Sequence, residues 1–166
     1  MIAHRSFPNA RLMRLALAGA ALSILASVPA AAQERFAGKW VIAGAVAGSW
    51  AKDPKDPADE ADARRLVGQP MAIGAHFFRA PKPLGCANPK YVLRDIGADA
   101  LFEGSLNADG AGKPTDPVVI ARALGMTQKT VRGMTASCSE VELVLIDPDT
   151  ILFGLNDRVF TVKRAK

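Results

Sequence analysis

The C-terminal stretch from Val141 to Arg164 carries the plainest patterning of apolar and polar positions in the chain. It falls into three short runs, Val141–Ile146, Thr150–Leu155 and Arg158–Arg164, dense in β-branched and aromatic residues. Such side chains suit a pleated, half-buried surface, so the pattern predicts three strands. Asp147-Pro148-Asp149 divides the first pair: proline presets φ for a tight turn, and the aspartates bond to nearby backbone N–H groups. Asn156-Asp157 divides the second pair, and both residues tolerate the positive φ that a two-residue hairpin demands. The three strands therefore form a meander, and a meander alone is marginal in water, so it belongs to a larger sheet. In the last run Val159, Thr161 and Lys163 share one face, while Arg158, Phe160, Val162 and Arg164 share the other. The first run turns continuously apolar after Leu143, which predicts a strand end covered on both faces.

Upstream, Lys39–Ala47 reads as a strand, with Trp40, Ile42 and Gly44 on one face and Val41, Ala43 and Ala45 on the other. Gln69–Ala80 reads as a strand broken or bulged at Gly74. Tyr91–Ile96 and Lys129–Cys138 are further strands, and Leu101–Leu106 is a short extended piece. Pro81–Pro89 and Asn107–Thr115 are loops. Asp56, Pro57 and Gly68 bracket a first helix, acidic early and basic late, as the helix dipole favours. Its sparse apolar residues, Ala61, Leu66 and Val67, place it on the surface. Asp116 and Pro117 open a second helix that Gly125 ends. There Val119, Ile120, Ala123 and Leu124 make an apolar face suited to lid one end of a barrel. The sum is a mainly β fold: a small antiparallel barrel or highly curved sheet of about eight strands, with two short helices.

The first 32 residues read as a signal peptide. Arg5, Arg11 and Arg14 precede the apolar run Leu15–Val28, and Ala30-Ala31-Ala32 offers a small-residue cleavage site. The run is short for a membrane span, which needs roughly 20 residues. The expected product is a periplasmic or secreted chain of one domain, residues 33–166, with no integral span. Charge then means less than it first suggests. The whole chain carries +5, but its three leader arginines leave 18 Lys+Arg against 16 Asp+Glu, a net of +2. No clustered basic face for nucleic acid follows from that balance. The two cysteines, Cys86 and Cys138, are an even pair in an exported chain and predict one disulfide.

Gly38-Lys39-Trp40, at the start of the first strand of the mature chain, resembles the short Gly-x-Trp signature of lipocalin-like (calycin) barrels. The resemblance extends to the C-terminal meander and the single disulfide. It implies that Trp40 packs across one end of a barrel against a basic residue late in the chain, with Arg158 or Arg164 as the stacking cation. The chain departs from that family in its shortness and in lacking a long helix before the last strand. A small periplasmic barrel of the lysozyme-inhibitor-like kind fits as well.

Catalytic chemistry is sparse. His76 is the one histidine after the leader, and neither a second histidine nor a cysteine cluster gives zinc spacing. Its neighbours Phe77, Phe78 and Arg79 supply no nucleophile. No Gly-x-Ser-x-Gly occurs, and Gly110–Thr115 lacks the order of a phosphate loop. The Asp59, Glu60, Asp62 cluster matches no EF-hand spacing. Trp50, at a strand end beside the Lys52–Asp59 loop, is an aromatic with a polar handle of the kind that meets a ligand or partner. The expectation is a binding protein, without cofactor or metal, holding a small apolar ligand or a protein partner. Trp40, Trp50, His76 and Arg158 are its candidate binding residues. An inhibitor of a lysozyme or protease, acting through a loop such as Pro81–Pro89, is the second expectation. An envelope structural or stress protein is the third.

Overall fold

A computed structural model describes residues 33–107 and 116–166. The predicted signal segment 1–32 and the 108–115 part of the Asn107–Thr115 loop lie outside the described residues. Nine strands form one antiparallel sheet: β1 (Gly38–Ala47), β2 (Pro70–Gly74), β3 (Phe77–Arg79), β4 (Cys86–Ala87), β5 (Tyr91–Gly97), β6 (Thr130–Ala136), β7 (Glu142–Asp147), β8 (Thr150–Leu155) and β9 (Arg158–Arg164). Helices α1 (Pro57–Leu66) and α2 (Pro117–Ala123) and a kinked 3₁₀ segment, Ala98–Asn107, complete it. The predicted meander is β7–β8–β9, and each pair is antiparallel.

The strand order is β4-β3-β2-β1-β9-β8-β7-β6-β5, so β4 and β5 are the two edges. Every neighbouring pair in that order is antiparallel. Eight reversals lie between the edges, so β4 and β5 run in the same direction. Only Asn88-Pro89-Lys90 joins them, far too short for a crossover between side-by-side parallel strands, which takes a dozen or more residues. They are therefore one strand interrupted at Asn88-Pro89, where Asn88 has φ 50°. Its first part pairs with β3 and its second with β6. The sheet must curl for one strand to serve both edges, and its nine strands make a curled half-barrel, the highly curved sheet of about eight strands expected from the sequence.

Covalent and polar ties hold the curl at this junction. Cys86 and Cys138 are bonded, with Cα atoms 5.9 Å apart across a separation of 52 residues. Constraining a loop of that length stabilises the fold by about 4 kcal/mol in the chain-entropy picture. Ser137 N donates to Lys90 O at 2.9 Å, and Lys90 N donates to Ser137 Oγ at 3.1 Å. The Tyr91 hydroxyl lies 3.1 Å from Gly74 O and 2.9 Å from Phe77 O, donating to one at a time and bridging β5 to the β2–β3 turn. Burial pushes the Tyr91 phenol up to about 12, which keeps it a donor.

Two apolar clusters lie on opposite faces of the sheet. The inner one collects Trp40, Ile42, Phe78, Leu143, Ile151, Phe153, Phe160 and Val162, joined by Phe36, Leu66 of α1, and Leu84. The outer one takes the alternate positions Val131, Val144, Ile146, Leu152 and Val159, covered by Leu101, Phe102, Leu106, Ala121 and Met126. Strand β7 is thus buried on both faces, as its apolar run predicts, and only Asp147 at its end is exposed.

Four expectations need correction. The Gly74 break is a hairpin, with β2 and β3 paired antiparallel. A bulge between Ile42 and Gly44 inverts the alternation of β1, so Ala45, not Gly44, turns to the inner cluster; one extra residue flips a strand's faces. Leu101–Leu106 is not extended: Phe102, Glu103 and Gly104 are left-handed, with φ of 51°, 59° and 81°. The aromatic ring beside that kink packs on Gly154, where a Cβ would sit 3.2 Å from Phe102 Cβ. Finally, α2 covers the outer face of the sheet, not an end. Its buried residue is Ala121, with Ile120 and Leu124 packed beside it, while Val119 is 59% exposed.

Candidate functional site

The four residues singled out from sequence do not converge. Trp40 is fully buried near the start of β1 and donates its indole N–H to Phe36 O at 2.8 Å. The Arg164 guanidinium lies 4.0 Å from its ring centroid. Arg164 also donates to Ala37 O, Arg35 O and Pro148 O, so the stack seals the segment before β1 against the end of β9. Of the two cations the resemblance left open, Arg164 takes this place. Arg158 is buried elsewhere and donates to Glu60 at 2.7 Å and to Pro54 O at 2.9 Å. It fastens α1 and the preceding loop to β9. His76 is exposed in the β2–β3 turn, where its carbonyl accepts from Asn88 N at 3.3 Å.

Trp50 follows the far end of β1 and donates to Asn156 O at 3.1 Å. Its ring meets Phe102 at 5.6 Å between centroids, tilted by 43°. Together with Glu103, Glu140, Glu142 and Asn156 they line a small cleft of about 240 Å³. The carboxylate of Glu142 is taken by Arg94, at 2.6 and 2.8 Å. The hydrogen bonds and charge of Glu142 hold the Arg94 guanidinium above its ordinary range, so it stays ionised. The left-handed Phe102 is uncommon for a bulky side chain, and each such residue costs of order 1–3 kcal/mol. Gly154 is what makes room for it.

A larger groove, about 520 Å³, lies between α2, the end of β5 and the start of β6. Its floor is Ala98, Ala121 and Met126, which are 9%, 1% and 3% exposed. Val118 forms a wall, itself 45% exposed. Asp99, Arg122 and Lys129 stand at its mouth, exposed to solvent. Among the described residues neither cation is in an ion pair. A second trough of the same volume runs over Lys39, Val41, Pro70, Met71 and Ala80. That trough is lined by strands and connecting segments, whereas the groove beneath α2 is walled by helix and sheet. Its size falls in the range of small-molecule sites, and its mostly apolar lining with a few polar groups fits the same class.

The sequence reading missed this groove. It placed the apolar face of α2 one residue out of phase, so Val118 and Ala121 were not drawn together. The available signal was the adjacent pair Val118-Val119 on a short helix that also carries Arg122. Among the described residues no group of three His, Cys, Asp or Glu side chains is arranged to hold a metal ion, and no helix is long and apolar enough to cross a membrane. No family model matches the chain, and searches of curated proteins and of solved structures find no match either.

Proposed function

We propose that this chain is an exported binding protein of lipocalin-like build that carries a small apolar ligand in the groove beneath α2, not inside the curl of the sheet. It binds and does not catalyse. The observation that carries this reading is an apolar groove on the outer face, beside an inner face lined with buried aromatic and aliphatic side chains. Inside, Phe153 and Phe160 stack at 4.9 Å and 6°, and Trp40, Ile42, Ile151 and Val162 are wholly buried. Outside, Ala98, Ala121 and Met126 form the apolar floor of a groove of about 520 Å³. The Trp40–Arg164 stack supports the lipocalin-like comparison, and the Cys86–Cys138 bond supports an oxidising compartment. Native mass spectrometry of protein recovered from its own cell envelope is the test. A stoichiometric apolar adduct, lost in a Val118→Asp variant, is expected. An adduct that persists in that variant puts the ligand elsewhere, and ligand-free protein that binds no apolar probe removes the reading.

A second reading, docking of a protein partner at the Trp50 cleft, is favoured by the left-handed Phe102-Glu103-Gly104 segment that presents Glu103 there. Capture of an envelope protein by the wild type, lost on Trp50→Ala, would establish it over the first.

A further inference from the structure

We infer that the groove beneath α2 takes a free single-chain amphiphile with an anionic head, a carboxylate or a phosphate. This rests on the reading of that groove as the ligand site and goes further by giving the ligand a charge. The floor and wall, Ala98, Val118, Ala121 and Met126, offer one hydrocarbon chain an apolar bed in a space of about 520 Å³. At the mouth stand two cations, Arg122 and Lys129, against one carboxylate, Asp99. The remaining polar groups there, Thr127, Gln128 and Thr130, are neutral. Neither cation is in an ion pair among the described residues, so both are available to an incoming anion. An anionic head therefore gains attraction that a neutral head does not, and a cationic head is repelled. The groove lies between a helix and a sheet and has room for a chain, which favours a dissolved amphiphile over the flat surface of a bilayer.

The test is a titration of the full disulfide-bonded protein with octanoate, decanoate and dodecanoate, each below its micelle concentration, beside the alcohols of equal length. One molecule per chain is expected to bind, with affinity rising about fourfold per methylene. Each acid should bind several-fold tighter than its alcohol. The double variant Arg122→Gln, Lys129→Gln should lower decanoate to the level of decanol and leave decanol unchanged. Dodecyl phosphate should behave as dodecanoate does. Vesicles of phosphatidylglycerol should not retain the protein; retention that the double variant abolishes would mean a bilayer surface and overturn the inference. Alcohols binding as well as acids, or a double variant that keeps the preference, would also overturn it while the apolar-ligand reading stands. Absence of saturable binding by acids and alcohols alike would end both.

Discussion

The inner and outer apolar clusters share one sheet and are built differently. The inner face contributes large, rigid side chains, among them Trp40, Phe78, Phe153 and Phe160, to a cluster that Phe36, Leu84 and Leu66 of α1 also join. Phe153 and Phe160 stack there as cross-strand neighbours. The outer face contributes aliphatic residues, and its cover is a seven-residue helix and a kinked 3₁₀ segment. A short helix lays few side chains on a sheet, so the layers part at the groove.

This contrast can be broken by mutation. Phe153→Ala deletes half of the inner stack and should destabilise the protein by roughly 3–5 kcal/mol, read by denaturant unfolding. Met126→Ala in the outer cluster should cost less, about 2 kcal/mol, because a smaller side chain is removed and the thin cover over it can relax into the space. Equal losses at the two sites would mean the outer cluster is as tightly packed as the inner one. Arg164→Met removes the cation over Trp40 and its bonds to Ala37, Arg35 and Pro148, and should cost on the order of 1 kcal/mol. It should also shift the Trp40 indole N–H resonance and leave that of Trp50 in place. If both indoles move, the seal between the segment before β1 and β9 is not local to the inner face.

The smallest effect belongs to Asp59, which sits in the first turn of α1, outside both clusters. Burial, then the neighbouring Asp56 and Asp157, raise its carboxyl above the ordinary value, and Arg158 opposes them. A carboxyl that holds its proton more firmly in the folded chain than in the unfolded one favours folding at low pH. That advantage is complete below the ordinary carboxylate range and is lost as pH rises through the folded value. Asp59→Asn should therefore be slightly more stable than the wild type at pH 7, by no more than about 0.5 kcal/mol. The gap should close toward pH 3, and thermal melts at both pH values measure it. A gap that widens on acidification would reverse the assigned direction.

What could be read beforehand followed from local chemistry. β-branched runs and the Asp-Pro-Asp and Asn-Asp turns determine β7, β8 and β9 because period and turn geometry act over a few residues. The Asp–Pro starts of α1 and α2 do the same, and each aspartate accepts from backbone N–H groups as expected. The cysteine pairing was forced by there being two. The stacking cation was narrowed to two arginines but chosen only by register, which sets Trp40 opposite Arg164 and Ala47 opposite Arg158.

The groove belongs to the other kind of fact. It depends on the rotation of α2 that points Ala121 inward, beside Ala98 and Met126. That rotation is settled by packing against residues outside the helix. Sequence periodicity determined which elements exist and which faces are apolar. Only the tertiary fold decided which apolar face would be covered incompletely, because that depends on how far two layers can approach, and no single segment carries that distance.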